Sequence, residues 1–210
     1  TNMAVIETYM RSRGIPEMLD AISDSGQRVA ETVANMLSFA RKGEAVVSTH
    51  RLEQLIDKTL GLAATDYDLK NHFDFKQIEL VKRYALDLPG VPCEAAKIQQ
   101  VLLNILRNGA QAMQAAGTAS PRFIIRTRLD AERLMAEIEI TDNGPGMDEK
   151  IRKRVFEPFF TTKPEGTGTG LGLSVSYFII TDNHRGELTL QSQPGRGTTF
   201  IIRLPINGAR

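Results

Sequence analysis

The sequence predicts an α+β protein, a two-layer sandwich of helices and β-strands that is preceded by a long helix. Three observations lead to this prediction. A heptad pattern of apolar residues runs through the first 45 residues, helical and strand-like segments alternate irregularly after it, and glycine and proline clusters separate those segments. We therefore divide the chain into a helical region at 1–45 and a second domain at 46–210.

The long helix is predicted over 16–42. Pro16 suits the first helical position, and Gly43, which follows two basic residues, marks the end. At 1.5 Å per residue such a helix would be roughly 40 Å long, so we expect it to pack against another helix or another chain. The alternative is an ordinary amphipathic helix on its own domain. The apolar seam alternates steps of four and three residues around Gly26 and comprises Ile15, Leu19, Ile22, Val29, Val33, Met36 and Ala40.

The second domain begins with a predicted helix that is capped by Thr49 and reaches about Ala64. Alternating polarity over 77–84 predicts a strand, and a strong helical pattern follows over 94–115. The later elements are predicted strands at 122–128, 134–141, 187–191 and 198–204, a helix at 148–155, and a helix that runs from a glycine-rich segment, 164–172, to about 181.

Charge balance and cysteine count exclude several classes of function. The 210 residues contain 26 Lys plus Arg and 25 Asp plus Glu, and this net charge of +1 gives no electrostatic footprint for nucleic acid. Cys93 is the only cysteine, which excludes an intrachain disulfide and a zinc cage and fits a reducing compartment. No apolar run approaches the ~20 residues of a membrane span. We expect this region to be cytoplasmic, in a parent protein that could still be anchored in a membrane.

Polar side chains line one face of the helix predicted over 94–115. Asn104 and Asn108 are four residues apart, so their amides stack on that face beside Arg107 and Gln111. An amide oxygen is a hard ligand that suits Mg²⁺, which prefers few protein ligands together with phosphate and water oxygens. The alternative is an exposed polar face without a ligand.

The segment 140–147 (ITDNGPGM) follows a predicted strand with a sharp turn. Asp142, held at the strand end, can accept a hydrogen bond from an adenine amino group. Gly144 and Gly146 would let the backbone approach a flat base closely. The alternative is a simple hairpin or loop.

The segment 156–163 (FEPFFTTK) leads into a run with glycine at positions 166, 168, 170 and 172. Such a run is costly in ordered structure unless the backbone needs unusual torsions or close approach. A helix that begins near Gly172 could receive phosphate at its N-terminus. The spacing matches neither the dinucleotide-binding fingerprint nor a P-loop. The alternatives are apolar core for the aromatic segment and a flexible linker for the glycine run.

Taken in order, these segments resemble the histidine-kinase branch of the GHKL ATPases, a group shared with gyrase, mismatch-repair and heat-shock chaperone ATPases. The asparagine box, Asp-x-Gly-x-Gly, Phe-x-Pro-Phe, Gly-x-Gly-x-Gly and a closing GRGTTF at 195–200 appear in family order over about 49–207. The resemblance implies the Bergerat nucleotide fold, a mixed sheet backed by helices with ATP between the helix layer and a lid. It also implies a response-regulator receiver domain as partner and a homodimer formed through the helical region.

Position by position, the resemblance implies that Asn108 holds Mg²⁺ at the phosphates and that Asp142 binds adenine. It implies that Thr198 supports Asp142 through a hydroxyl or water, and that Asn104, Asn108 and Lys163 are the catalytic residues. The full set expected to line the nucleotide site is Arg107, Asn108, Gln111, Asp142, Gly144, Gly146, Met147, Thr161, Thr162, Lys163, Gly168, Thr169, Gly170, Leu171, Gly172 and Thr198.

Two departures from the family pattern bear on the reaction. ATP-hydrolysing relatives carry Glu four residues before the metal-binding Asn, whereas Asn104 cannot serve as a comparable base, so we expect slow hydrolysis and phosphoryl transfer to an imidazole. Gln111 stands where many relatives carry a basic residue, which leaves Arg107 or Lys163 as the charge donor.

The acceptor histidine is the third departure. His50, His72 and His184 all lack an acceptor context, and residues 15–42 resemble the second helix of a dimerisation hairpin whose first helix is missing. We expect this chain to bind ATP without phosphorylating itself. The rival interpretations are a GHKL ATPase or anti-sigma-type serine kinase, and a non-catalytic nucleotide-binding regulatory module.

Overall fold

The computed structural model describes residues 2–23, 25, 26, 30, 47–65, 75–164 and 168–208. The chain divides into two compact units, Thr1–Arg41 and Lys42–Arg210.

The first unit begins with a helix that the sequence pattern did not predict, α1 (Asn2–Ser12). It ends at a turn in which Gly14 adopts a left-handed conformation, with φ of 64°, as is common just after a helix C-terminus. Residues 15–23, 25, 26 and 30 are helical. The rest of the predicted helix over 16–42 lies outside the described residues. Several large apolar side chains of this unit are exposed: Met3, Val5, Ile6, Tyr9, Met18, Leu19 and Ile22.

The second unit contains a mixed five-stranded sheet and a separate two-stranded sheet. The strands are β1 (Ser48–His50), β2 (Glu79–Arg83), β3 (Val91–Cys93), β4 (Arg122–Asp130), β5 (Met135–Asp142), β6 (Glu187–Gln193) and β7 (Gly197–Pro205). The large sheet has the order β2-β4-β5-β7-β6, with β2 parallel to β4 and every other pair antiparallel. The small sheet pairs β1 with β3. The predicted α+β fold with a mixed sheet is confirmed.

Helices cover one face of the large sheet. They are α2 (Leu52–Thr65), α3 (Ala95–Ala115) and α5 (Gly172–Phe178), which continues into a π-helical turn at Ile179–Asn183. A further short helix, α4 (Glu149–Arg154), contributes no buried residue. The apolar face of α3, which includes Ile98, Leu102 and Ile105, joins inward-facing sheet residues such as Ile125 and Ile138 in one buried core. Because these side chains are almost wholly removed from water, their burial is the main stabilising contribution to the domain.

Charged side chains cover the other face of the sheet. Glu137 on β5 is 0% exposed and accepts hydrogen bonds from Arg128 on β4 and from Arg203 on β7, the latter at 2.7 Å. Burial alone would raise the pKa of Glu137, but the hydrogen bonds from the two guanidinium groups outweigh it and lower the pKa. The same carboxylate therefore links three adjacent strands.

The start of α2 corrects one prediction. Thr49 is not a helix cap, because it lies in β1 opposite Pro92, and α2 begins only at Leu52. The reason is tertiary: a Cβ on Gly90 would lie 2.5 Å from Thr49 Cγ2, so the chain before β3 and the Thr49 side chain are in close contact. Strand pairing with a distant segment has overridden the local capping preference. His50 lies in the same strand.

Candidate functional site

Asp142 is the last residue of β5 and is almost fully buried, with 6% exposure. Its Oδ1 accepts hydrogen bonds from the backbone N–H groups of Gly144 at 2.9 Å and Thr198 at 3.2 Å. Burial raises the pKa of Asp142, although these N–H donors oppose the shift. The result is a buried acidic group with a fixed orientation at the end of a strand.

The loop after β5 is packed tightly against the turn between β6 and β7. Gly146 has a φ of 67°, and a Cβ at this position would lie 2.0 Å from the carbonyl oxygen of Gln193. Only glycine fits here, for reasons of both space and backbone conformation. The next residue, Met147, donates its N–H to Ser192 Oγ at 2.8 Å. Gly146 and Met147 therefore hold the loop against the end of β6, next to Asp142.

Thr198 donates its backbone N–H to Asp142, and support of Asp142 through the Thr198 hydroxyl or through water stays a prediction. The hydroxyl lies 2.9 Å from Ser192 Oγ. Ser192 also donates to the carbonyl of Gly197 at 3.0 Å. Ser192 thus joins the two loops at the end of the sheet, and nothing in the sequence pattern had marked it, because a single serine in a strand is common.

Helix α3 lies close to the end of β5 at Gly109. A Cβ on this residue would lie 2.7 Å from the Phe123 ring and 3.5 Å from Asp142 Cβ. The missing side chain lets the helix lie against β4 and β5 at this point. Asn108 precedes this contact point in the same turn of the helix.

The ammonium group of Lys163 lies near the side-chain amides of Asn108 and Gln111 on α3. Lys163 Nζ is 3.5 Å from Asn108 Oδ1 and donates to Gln111 Oε1. Burial lowers the pKa of Lys163. Arg107 lies on the same helix and is half-buried. The structure thus directs two amide oxygens of α3 at one positive charge.

The segment that contains Lys163 packs on the described part of the glycine run. A Cβ on Gly168 would lie 2.8 Å from Thr161 Oγ1 and 3.1 Å from Lys163 Cδ. Thr161 Oγ1 also accepts the N–H of Lys163, and Thr161 and Thr162 are both exposed. This predicted part of the site is therefore continuous from α3 to Gly168.

The end of the glycine run is held by the protein core. Gly170, with a φ of 65°, leaves room for the backbone of Phe159, which would lie 2.4 Å from a Cβ there. Leu171 is buried, and its N–H points toward Thr169 Oγ1 at 3.4 Å. Residues 165–167, which include the first glycine of the run, lie outside the described residues.

Asn104, predicted among the catalytic residues, makes contacts of a different kind. Its Nδ2 donates to the carbonyl of Gly172 at 3.0 Å and to Ser176 Oγ at 3.1 Å. The amide therefore bonds to the start of α5.

His184 is another residue whose role the sequence did not indicate. It is buried, its Nε2 accepts the backbone N–H of Glu94 at 3.0 Å, and its Nδ1 lies 2.8 Å from the carbonyl of Ile179. These contacts join the π-helical turn to the first residue before α3.

The family model described as "Histidine kinase-, DNA gyrase B-, and HSP90-like ATPase" matches residues 93–208. The chain is 33% identical over 187 residues to sporulation kinase E of Bacillus subtilis (strain 168), which covers 89% of this chain and 23% of that protein. It is 34% identical over 191 residues to the signal transduction histidine-protein kinase AtoS of Escherichia coli (strain K12), covering 91% of this chain and 29% of that protein.

Solved structures give the same picture of the fold. The catalytic domain of the histidine kinase ThkA matches with a TM-score of 0.61 and 25% identity, over 76% of this chain and 95% of that one. The chain spans about a quarter of the length of the two curated relatives. Among its described helices, none combines the length and the hydropathy needed to cross a membrane.

Proposed function

Because the chain belongs to the family of histidine kinase-, DNA gyrase B- and HSP90-like ATPases, we propose that it is the ATP-binding catalytic region of a sensor histidine kinase. The observation that carries the proposal is that three motifs meet at one end of the sheet. Gly109 brings α3 against Asp142, Lys163 contacts the amides of α3, and Gly168 packs on Lys163.

The Asp142 end of the site suits an adenine base. The hydrogen bonds from the N–H groups of Gly144 and Thr198 fall on Oδ1, and a buried carboxylate gains from a further donor. We propose that an adenine amino group supplies that donor at Oδ2. Gly144 and Gly146, with Met147 beside them, would let the base lie against the backbone.

The Asn108 end of the site suits phosphates with a divalent cation. Asn108 Oδ1 and Gln111 Oε1 already face the ammonium of Lys163, and amide oxygens are hard ligands of the kind that Mg²⁺ accepts. We propose that Asn108 holds Mg²⁺, which neutralises phosphate charge when it is bound. Lys163 and Arg107 would add positive charge to the same phosphates.

The phosphate acceptor in this proposal is a histidine outside this sequence, on the first helix of a dimerisation hairpin. His184 is buried and bonded through both ring nitrogens, and His50 lies in β1 with Nε2 2.7 Å from Ser48 Oγ. The similar protein AtoS is by name a histidine-protein kinase. We further propose relay of the phosphoryl group to a response-regulator aspartate, homodimerisation through the helical region, and a cytoplasmic location.

Calorimetry with the ATP analogue AMPPNP and Mg²⁺ tests the site. Asp142→Asn keeps the shape of the side chain but replaces the carboxylate, and Asn108→Ala removes the proposed metal ligand; each should abolish measurable binding. Asp130→Asn is the matched control, because Asp130 is the last residue of β4 and lies at the end of the β4–β5 pair that is opposite to Asp142. Affinity that stays unchanged in the first two variants would contradict the site assignment.

Phosphotransfer tests the reaction. Radiolabelled ATP should leave no acid-labile phosphate on this chain alone. It should label an added peptide that carries the first hairpin helix of the parent protein. Acid-labile phosphate on the isolated chain, or phosphate release without transfer, would favour a different acceptor or an ATPase.

A further inference from the structure

The structure assigns a positioning role to Asn104. Its side-chain NH₂ group holds the C-terminal end of the glycine run, at Gly172, against helix α3. This inference rests on the proposed function, because the glycine run would contact phosphates. It differs from the expected catalytic role of Asn104, since no contact with a reacting atom is required.

Three hydrogen bonds form a closed triangle at this point. Asn104 Nδ2 donates to Gly172 O at 3.0 Å and to Ser176 Oγ at 3.1 Å. Ser176 Oγ donates in turn to Gly172 O at 2.8 Å. Each of the three residues thus contacts the other two, and the triangle joins α3 to the first turn of α5.

The chemistry of the acceptors determines the orientation of the amide. A backbone carbonyl can only accept, so the side of Asn104 that faces Gly172 must be the NH₂ group. That group is the donor in both contacts. Position 104 therefore requires a donor, and a carboxylate there would place negative oxygen against a carbonyl oxygen.

The triangle also has a fixed base. Ser176 is fully buried, Leu171 is buried, and Ser174 Oγ donates to the carbonyl of Leu171 at 2.9 Å. The first turn of α5 is therefore held on one side by the core and on the other by Asn104. Since Asn104 lies one helical turn before Asn108, a single side chain sets the distance between the proposed metal ligand and the end of the glycine run.

This arrangement gives a physical reason for asparagine where ATP-hydrolysing relatives have glutamate. Glutamate at 104 would lose both donated hydrogen bonds and would repel the Gly172 carbonyl. Asn104→Glu should therefore release phosphate from ATP no faster than the unchanged chain. Faster release would overturn the inference, because it would show that a base can occupy this position without disturbing α5.

Hydrogen exchange of the nucleotide-free chain tests the inference directly. Asn104→Asp keeps the shape of the side chain and removes both donors, so the amides of 173–178 should exchange at least tenfold faster. Ser176→Ala removes two sides of the triangle without adding charge and should give a smaller acceleration in the same segment. Unchanged exchange in both variants would overturn the inference, and the second variant keeps the test valid if the first fails to fold.

Asn143→Asp is the matched control. Asn143 Nδ2 donates to a backbone carbonyl, that of Ser120, at 3.1 Å, so this variant also loses an amide donor. Exchange over 173–178 should be unaffected by it. Equal acceleration in the control would show a loss of general stability and would overturn the specific role of Asn104.

Nucleotide binding separates this inference from the proposed function. In Asn104→Asp, affinity for AMPPNP should fall at least tenfold while affinity for adenosine stays within twofold, because only the phosphate end is displaced. An equal loss for both ligands would contradict a positioning role at the phosphates. If the unchanged chain binds neither ligand, the proposed function fails, and the exchange result still decides the role of Asn104.

Discussion

Replacement of Lys163 by methionine should separate phosphate binding from base binding. The ammonium of Lys163 is half-buried, contacts Gln111 Oε1 and lies 3.5 Å from Asn108 Oδ1. Methionine has a similar length and no charge. In the proposed site this change removes a cation from the phosphates and leaves the Asp142 end intact.

The expected magnitude follows from the position of the ammonium. A hydrogen bond to a charged group contributes about 1.5–3 kcal/mol. Lys163 must give up its contacts with the two amide oxygens when it turns to a phosphate, which places the net loss near the lower half of that range. A loss of about 2 kcal/mol corresponds to about a 30-fold weaker affinity for AMPPNP.

Calorimetry with AMPPNP and with adenosine is the assay. The Lys163→Met variant should bind AMPPNP about 30-fold more weakly and adenosine as before. Lys153→Met is the control, because Lys153 is 70% exposed and pairs with the exposed Glu149 of its own helix. Unchanged AMPPNP affinity in Lys163→Met, or an equal loss for adenosine, would refute the placement of Lys163 at the phosphates.

Three further predictions concern the fold that supports the site. Because the pKa of Glu137 is lowered in the folded state, its stabilising contribution is present above about pH 4.3 and is lost as the pH falls through the lower folded-state pKa. Glu137→Gln should lower the free energy of unfolding by about 2 kcal/mol at pH 7. Urea unfolding at a series of pH values should show a smaller loss of stability toward acid pH in this variant, and an unchanged acid dependence would contradict this. Gly146→Ala should lower the melting temperature and the affinity for adenosine together, since its Cβ would lie 2.0 Å from Gln193 O; a melt like that of the unchanged chain would show that the loop can move. His184→Ala should cost about 2–4 kcal/mol in urea unfolding, because it leaves a cavity and removes two hydrogen bonds, and a cost below 1 kcal/mol (about the worth of one bond) would show that the ring contacts contribute little.

The long periodic elements were predictable from the sequence. The helix predicted over 94–115 corresponds to Ala95–Ala115, and the strands predicted at 122–128 and 134–141 correspond to β4 and β5. These segments have one face against the core, and a side chain's place on that face depends only on the helical or strand period. The order of the motifs likewise indicated the family to which the chain belongs.

Short elements and hydrogen-bond partners were not predictable in the same way. β1 has three residues and exists because it pairs with β3, some 40 positions away, and no local period signals such a pairing. The partners of the site residues have the same character. Ser192 contacts Thr198 across the β6–β7 pair, and Ser176 contacts Asn104 on a different helix. An isolated serine carries no pattern that would indicate either contact. The parallel pairing of β2 with β4 depends on topology for the same reason.

Asp142 lies opposite Thr198 in the pairing of β5 with β7, and its carboxylate is oriented by the N–H of that distant residue. A chain in which β7 has not yet joined the sheet therefore lacks one of the backbone hydrogen bonds that orient this acceptor for a base. A ligand that binds only the assembled state shifts the folding equilibrium toward it in proportion to its concentration. Adenosine should thus behave as a folding ligand for this chain and delay thermal denaturation, even though it carries no phosphate.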